Sequence, residues 1–321
     1  MARMRLAILF ASFALAGAAA AADSYPSKAI RMVCPFATGS TADTLARVAA
    51  QALTEAFGRQ VVVDNRTGAG GTIGAEIVAR APPDGYTLLE DGSNHAINVT
   101  LYPRLPYDTS RDFVPISQLA QAPQLLAIHA SVPATSMREF IALAAAKPGE
   151  LRYGSGGNGS PSHLAIELLK SITGVKIAHV PYKGGDTTLI ALLANEVQLS
   201  SSSIRLVMPH VKGGRLKALG VTSAQRSPAI PDIPTVVEGG VPGYDMTAWW
   251  GVFAPAKTPK AIIAKLHEAL AQGLKRTDIR DRLAGVGVDT VGNTPAEFDA
   301  LVRREITQWA KVIRDSGARV D

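Results

Sequence analysis

The chain is organised around one loop, Pro35-Phe36-Ala37-Thr38-Gly39-Ser40-Thr41-Ala42-Asp43. An apolar run at residues 30–33 precedes the loop and predicts a strand, and the helically spaced apolar residues that follow it, up to Gly58, predict a helix. Such a loop leaves backbone N–H groups unpaired at the positive end of a helix dipole, which makes it a candidate anion-binding loop. The alternative is an ordinary helix start, capped by Ser40 or Thr41, with Asp43 complementing the dipole.

A second loop of the same kind lies near the middle of the chain, Gly154-Ser155-Gly156-Gly157-Asn158-Gly159. Its spacing matches the G-x-G-x-x-G fingerprint of dinucleotide-binding proteins, which also requires an acidic residue at the end of the next strand. That strand ends Ala178-His179-Val180-Pro181 without an acid, which disfavours a dinucleotide. The alternative is an anion cradle in front of a helix that starts at Ser160-Pro161. The groups available to hold a carboxylate are Ser155, Asn158, Ser160 and the N–H groups of Ser162 and His163.

The composition is that of a globular protein large enough for two lobes, with 321 residues, 47% of them hydrophobic and 19% charged. The formal charge of +6 is scattered, and no basic stripe with interleaved aromatic residues indicates nucleic-acid binding. No sequence motif indicates catalysis, cofactor binding or metal binding. The six histidines are not spaced as metal ligands are, and no nucleophile elbow is present. The single cysteine, Cys34, is expected to be a buried, inert thiol.

The first 22 residues have the pattern of a secretory signal peptide. Arg3 and Arg5 precede a short apolar core, and Ala20-Ala21-Ala22 fits a small-x-small cleavage site. The apolar core is too short to span a bilayer. We therefore expect export to a bacterial periplasm, away from the cytosolic nicotinamide pool.

Strand and helix patterns alternate through most of the chain, which predicts an α/β fold with largely parallel sheets flanked by helices. Two extended crossings, near residues 121–123 and 240–248, divide the chain into lobes. Lobe 1 comprises residues 23–121 and 249–321, and lobe 2 comprises residues 122–248. Ligands of such sheets bind at the carboxyl ends of the strands, so we expect both loops to face one cleft.

Eight segments, in order along the whole mature chain, resemble the Bug-type extracytoplasmic solute receptors of tripartite tricarboxylate transporters. They are Tyr25-Pro-Ser-Lys-Ala-Ile30, Val33-Cys-Pro-Phe-Ala-Thr-Gly39, Val61-Val-Val-Asp-Asn-Arg-Thr-Gly-Ala-Gly-Gly71, Pro83-Asp-Gly-Tyr-Thr-Leu-Leu89, Leu105-Pro-Tyr-Asp108, His179-Val-Pro-Tyr-Lys-Gly184, Pro231-Asp-Ile-Pro-Thr235 and Ala254-Pro-Ala-Lys-Thr-Pro259. The resemblance implies a two-lobed periplasmic-binding-protein fold (Venus flytrap, type II-like) and a receptor rather than an enzyme. It also implies that a small organic carboxylate is delivered to membrane permease subunits. We expect the receptor to be a monomer.

By the same resemblance, the two loops hold the ligand carboxylate, partly through ordered waters. The residues implied are Phe36, Thr38, Ser40 and Thr41 in the first loop, Ser155, Asn158, Gly159, Ser160 and His163 in the second, and Ser93, Asn94 and Ser202 nearby. Many family members have an Asp near Ser202, and its absence favours a hydroxylated or carboxylated ligand over an amino acid. A binding module for signalling through a membrane kinase is the alternative to transport.

Overall fold

The computed structural model describes residues 25–182, 184–285 and 287–317, and the predicted signal peptide at residues 1–22 lies outside them. Strands and helices alternate along the described chain, as the sequence predicts. The strands are β1 (Ile30–Cys34), β2 (Val61–Asn65), β3 (Thr87–Gly92), β4 (Phe113–His129), β5 (Arg152–Ser155), β6 (Ala178–Pro181), β7 (Leu199–Ser203), β8 (Leu216–Val221), β9 (Thr247–Pro255) and β10 (Asp289–Thr290). The helices are α1 (Thr41–Phe57), α2 (Thr72–Ala79), α3 (Asn94–Leu101), α4 (Met137–Ala146), α5 (Pro161–Thr173), α6 (Gly185–Leu193), α7 (Ile204–Lys212), α8 (Lys260–Leu274), α9 (Thr277–Gly285) and α10 (Pro295–Ser316).

The strands of the described residues form one continuous sheet path built on two parallel triplets, β2-β1-β3 and β6-β5-β7. β9 and β4 lie between the triplets and run antiparallel to their neighbours. β8 and β10 also pair with β4, again antiparallel. The expected α/β fold is confirmed, and its parallel part is confined to the triplets because β4 and β9 run opposite to the strands that they join.

β4 belongs to both halves of the sheet. Its first part, up to Pro123, pairs with β9, and its second part, from Gln124, pairs with β7. The sequence patterns at residues 114–119 and 124–128 predict two strands here, whereas the structure has one strand of 17 residues. Pro123 is tolerated within it because it lies opposite Thr247, where the ladder with β9 ends. The change of pairing partner falls at the first expected crossing.

One apolar cluster extends through both halves of the sheet. It includes Val33 and Leu89 of the first triplet and Tyr153 and Leu199 of the second, together with Trp309 of α10. α10 packs against both α3 and α5, which places it between the two halves. Full burial of a large apolar side chain stabilises a fold by about 1.5–3 kcal/mol, so these contacts hold the halves together firmly at this side.

Three helices begin at the residues that the sequence predicts. Ser40 caps α1 and Ser160 caps α5, each by accepting the N–H group of the residue three positions on. Thr294 and Glu297 form a capping box at the start of α10. Both candidate loops therefore end at a helix N-terminus.

The sequence patterns do not predict α3, α6 and α7. Ser93 and Gly184 precede α3 and α6 without a side-chain cap, and α7 contains Pro209. Asn94, expected in a loop after β3, instead opens α3. Every helix within the described ranges is too short or too polar to cross a bilayer.

Candidate functional site

Asp43 is buried beneath the first loop and fixes its shape. Its carboxylate accepts hydrogen bonds from the N–H group of Gly39 at 2.9 Å and from the Asn65 amide at 3.0 Å, and it forms an ion pair with Arg47 at 3.0 Å. Burial alone would raise the pKa of Asp43, but these bonds outweigh burial and keep the pKa below its ordinary value. Asp43 is therefore directed toward Arg47, as an anion-binding loop requires, and its charge is balanced.

The first loop leaves uncharged donors available. Phe36, Ser40 and Thr41 are half-buried, and Thr38 is exposed. Helix geometry gives the N–H groups of Thr41 and Ala42 no intrahelical acceptor. These groups lie at the positive end of the α1 dipole, where an anion is stabilised.

A glycine turn at residues 68–71 connects the first loop with α3. Gly71 has a φ of 99°, which favours glycine, and a β-carbon there would lie 3.5 Å from the ring of Phe36. On the other side of the turn, the carbonyl of Gly70 accepts a hydrogen bond from Nδ2 of Asn98 at 3.0 Å. The turn therefore fixes the first loop relative to α3.

α3 reaches from the first half of the sheet to the second loop. Ser93, just before it, is buried, and its hydroxyl accepts the N–H group of Trp249 at 3.0 Å, which ties β3 to β9. Asn94 is half-buried at the start of the helix. At the far end, a β-carbon on Gly159 would lie 3.0 Å from Leu101. The structure therefore connects both predicted loops through the glycine turn and α3.

The second loop satisfies most of its own backbone. The N–H group of Gly157 donates to Oγ of Ser155 at 3.2 Å, and that of Gly159 donates to Nδ1 of His163 at 3.0 Å. The N–H group of His163 donates to Oγ of Ser160 at 3.3 Å. The expectation that this last N–H group is free for a ligand is therefore wrong, because the helix cap uses it.

The groups that remain on the second loop are fewer than predicted. Asn158 is exposed, and helix geometry leaves the N–H group of Ser162 without an intrahelical acceptor. Ser155 is fully buried, and His163 is 5% exposed. Both side chains lie beneath the loop and support it, so direct contact between them and a ligand stays a prediction.

Three aromatic rings are stacked beneath the second loop. The ring centroid of His179 lies 4.2 Å from that of His163 and 4.7 Å from that of Tyr153. Oγ of Ser155 lies 2.6 Å from Nε2 of His179. Burial lowers the pKa of both histidines, and with His163 nearby it brings the pKa of His179 to about 4. Both imidazoles are therefore neutral at neutral pH.

Glu167 lies behind this stack. Its carboxylate accepts the hydroxyl of Tyr153 and the ammonium of Lys170, each at 2.5 Å, and lies 4.0 Å from Nε2 of His163. Burial raises the pKa of Tyr153, and the charge of Glu167 adds to that effect. The second loop thus resembles the first, since each lies near a largely buried carboxylate that is balanced by one cation.

Ser202 lies in β7, beside the strand that leads into the second loop. It is buried, and its hydroxyl is 3.5 Å from that of Ser200 on the same face of the strand. Ser201 points to the other face and donates to Gln124 of β4 at 2.6 Å. The hydroxyl of Ser202 therefore lies close to that of a residue in its own strand, and its role in binding stays a prediction.

Cys34 and Glu90 are buried close to the first loop. Burial raises the pKa of the Cys34 thiol, and Glu90 raises it further, so the thiol is protonated, as expected for an inert cysteine. Burial also raises the pKa of Glu90 well above its ordinary value, with Asp91 adding to the effect. Glu90 is therefore a neutral acid and adds no charge beneath the loop.

A cavity of about 1010 Å³ lies at the two crossings, away from the predicted residues. Its lining includes Gln121, Asp245, Trp249, Arg280 and Glu305. None of the twelve predicted site residues, all of which are described, takes part in that lining. The cavity is therefore separate from the two loops.

Sequence reasoning missed several residues that shape the loops. Asn65, Asn98 and Leu101 position the first loop, the glycine turn and the second loop, and His179 supports the second loop from below. Asn65 and His179 lie in two of the segments that carry the family resemblance, which is the signal that points to them. For Asn98 and Leu101 the sequence holds no such signal.

Comparison with known proteins agrees with this architecture. A family model described as the tripartite tricarboxylate transporter family receptor matches residues 45–318. Protein BugT of Bordetella pertussis (strain Tohama I) is 35% identical over 319 residues, covering 98% of each chain. The structure of R. palustris Rpa4515 with adipate is 37% identical, with a TM-score of 0.73 over 92% of this chain and 100% of that chain. A TctC solute-binding protein from Polaromonas, without ligand, is 28% identical, with a TM-score of 0.84 over 91% of this chain and 99% of that chain.

These similarities cover both candidate loops. The family match includes the second loop and α3, and the alignment with BugT extends over 98% of this chain. The expected resemblance to Bug-type receptors and the expected periplasmic-binding-protein fold are both confirmed. The chain therefore belongs to the tripartite tricarboxylate transporter receptor family, the Bug-type solute receptors.

Proposed function

We propose that the chain binds a small organic carboxylate between its two loops and delivers it to the permease subunits of a tripartite transporter. The observation that carries this proposal is the balance of charge beneath the loops. Asp43 is paired with Arg47 near the first loop, and Glu167 is paired with Lys170 near the second. Each loop then presents uncharged donors and a positive helix end, which favours an anion without a buried countercharge. The adipate in the similar R. palustris structure supports a carboxylate.

We infer binding rather than catalysis. The distance of 2.6 Å between Oγ of Ser155 and Nε2 of His179 is within the range of a nucleophile and its base. Ser155 is fully buried, however, and its oxygen already accepts the N–H group of Gly157. The hydroxyl is therefore not presented to a substrate, and the pair acts as a support for the loop.

The proposed lobes are residues 23–121 with 249–321, and residues 122–248, joined at the crossings near residues 121–123 and 240–248. The change of β4 pairing at Pro123 supports this division. The TM-score is higher for the ligand-free Polaromonas structure than for the adipate complex, although its sequence identity is lower. Because the TM-score falls when two lobes are arranged differently, we infer that the lobes of this chain are arranged more like those of the Polaromonas structure than like those of the adipate complex.

The proposed site of action is the periplasm. Export would remove residues 1–22 and leave a mature chain of residues 23–321 that acts as a monomer. The signal-peptide pattern and the family membership support this location.

The test is thermal unfolding of the mature chain with a panel of mono-, di- and tricarboxylates, aromatic acids, amino acids and NAD, with adipate as the first probe. A ligand at 100 times its dissociation constant adds about 2.7 kcal/mol, which raises Tm by several degrees. We expect a rise with one class of carboxylate and none with NAD. A rise with NAD alone would support the dinucleotide alternative and contradict the proposal.

A further inference from the structure

Two stacked histidines beneath the second loop are hydrogen-bonded to its backbone and side chains, an arrangement that anion binding alone does not require. Nδ1 of His163 lies 3.0 Å from the N–H group of Gly159, and the His163 ring stacks on His179 with an interplanar angle of 13°. Nε2 of His179 lies 2.6 Å from Oγ of Ser155. Both ends of the loop, Ser155 and Gly159, are therefore bonded to an imidazole.

The bond from Gly159 determines the protonation state of His163. A backbone N–H group can only donate, so Nδ1 must hold a lone pair, and the ring proton must be on Nε2. Nε2 faces Oε1 of Glu167 at 4.0 Å. An imidazolium has no acceptor, so protonation of His163 removes the hydrogen bond that holds Gly159.

His179 is subject to a related constraint. Oγ of Ser155 accepts the N–H group of Gly157 at 3.2 Å, and its one hydrogen can go either to the Gly157 carbonyl at 3.2 Å or to Nε2 of His179 at 2.6 Å. A protonated His179 could only donate to Oγ of Ser155, and it would place a positive charge against the ring of His163, 4.2 Å away. A proton on one ring therefore disfavours a proton on the other, because two imidazolium rings at this distance would repel each other.

The charged side chains around the two histidines do little to stabilise a protonated ring. On α5, Glu167 is already bonded to Lys170 and to the Tyr153 hydroxyl of β5, so its negative charge is largely balanced by these partners. From α10, which packs against α5, Lys311 and Asp315 face the far end of the helix and bond with each other. Arg152 of β5 is exposed. Among these described residues, the carboxylate beside His163 is that of Glu167, and it is already bonded to two other groups.

We propose that His163 and His179 are positioning residues that hold the second loop in its ligand-binding conformation only while both rings are neutral. Acid would then loosen the loop and release the ligand. The link to a ligand rests on the proposed function, whereas the link between ring protonation and loop order does not. The proposal is therefore tested in two experiments, the first of them without ligand.

The first experiment is a pH titration of the mature chain by NMR. Imidazole ¹⁵N shifts should show His163 as the neutral Nε2–H tautomer at pH 7.5. The protection factor of the Gly159 amide, which corrects for the slower intrinsic exchange at lower pH, should fall as His163 becomes protonated, at pH values where amides of the sheet core are still protected. A protonated His163 with an unchanged Gly159 amide would overturn the inference, whether or not any carboxylate binds.

The second experiment measures adipate affinity by calorimetry for three variants. His163→Asn keeps an acceptor close to the position of Nδ1 but cannot titrate, and His163→Phe keeps the ring but has no acceptor. At pH 7.5 we expect His163→Phe to bind adipate about tenfold more weakly than His163→Asn, since one hydrogen bond is lost. His210→Asn, on α7, is the matched control for a histidine outside the loop.

The pH profile separates positioning from a general structural role. As pH falls through the pKa of His163, wild-type affinity should drop by about tenfold in total relative to that of His163→Asn, because protonation removes the same hydrogen bond that His163→Phe lacks. The carboxyls of adipate titrate in the same range, and the His163→Asn profile accounts for them because that variant shares the ligand. Identical profiles would overturn the inference, and equal affinities of His163→Asn and His163→Phe would do the same. If wild type binds no carboxylate, the proposed function fails, and the NMR titration still decides the role of the histidines.

Discussion

Ser160 serves both the fold and the candidate site, because it caps α5 and lies at the edge of the second loop. Asp caps a helix about as well as Ser does, so α5 should form normally in the Ser160→Asp variant, which loses only the hydrogen bond that Oγ of Ser160 donates to the Gly157 carbonyl at 2.7 Å. Its carboxylate would face an anionic ligand, and we expect adipate affinity to fall at least tenfold, about 1.4 kcal/mol, in calorimetry. Ser136→Asp makes the same exchange at the cap of α4 and should bind like wild type. Unchanged binding by Ser160→Asp would remove the second loop from the site.

Arg47 balances the buried charge of Asp43, whose side chain is only 4% exposed. In the Arg47→Met variant, Asp43 loses its countercharge, so its pKa should rise and any remaining charge should oppose a bound anion. We expect a loss of about 1–3 kcal/mol of stability in urea unfolding and weaker adipate binding. Arg80→Met removes another i, i+4 ion pair, with Glu76, at a more exposed position, and should cost less than about 1 kcal/mol. Equal losses in the two variants would contradict this role of Arg47.

At the level of elements, local chemistry made part of the fold predictable. Ser160-Pro161 and the Thr294 capping box each specify a helix start within four residues, and the structure has helices there. Gly58 and Gly174, in left-handed conformation, end α1 and α5 where the sequence indicates.

Elements and contacts that depend on the tertiary structure were not predictable. β4 continues through Pro123 only because the ladder with β9 ends there, and β9 is more than 120 residues away in sequence. The bond between Asn65 and Asp43, and that between His179 and Ser155, join residues 22 and 24 positions apart. No local pattern encodes such distances, so the two loops were predictable as motifs while their supports were not.

α10 contains a buried acid, Glu305, whose side chain accepts the indole N–H group of Trp309 at 2.5 Å. Burial, with a contribution from Asp245, raises the pKa of Glu305 from 4.5 to about 7. Between these two pH values the folded chain keeps a proton that the unfolded chain has released, so the stability due to Glu305 is lost as pH rises from 4.5 to 7. In Glu305→Gln this loss, roughly 3 kcal/mol, should be absent.

The measurement is urea unfolding of wild type and Glu305→Gln at pH 5 and pH 8. The lowered pKa of His179 acts in the opposite sense, because the folded chain resists a proton that the unfolded chain accepts between about pH 4 and 6.5. The informative quantity is therefore the difference between variant and wild type. Glu268→Gln, on α8 at an exposed position, is the matched control. A constant difference between Glu305→Gln and wild type at the two pH values would contradict the prediction.

At the level of the whole molecule, we expect a ligand to bring the two proposed lobes together. α10 contacts helices of both lobes and should act as the fixed side of that motion. In small-angle scattering, a saturating concentration of adipate should lower the radius of gyration of wild type, and Ser160→Asp should not respond. An unchanged radius with bound adipate would indicate that binding does not require closure.

The position of β9 also has a consequence for how the chain is made. β9 lies between β3 and β4, so the first half of the sheet has a gap until residue 255 has left the ribosome. Before that point, the first 129 residues, which include all of β4, lack the strand that joins the first triplet to β4. Non-local pairing of this kind delays folding. We therefore expect the first half of the sheet to be completed late in synthesis, which would leave it unfolded for the export that we propose.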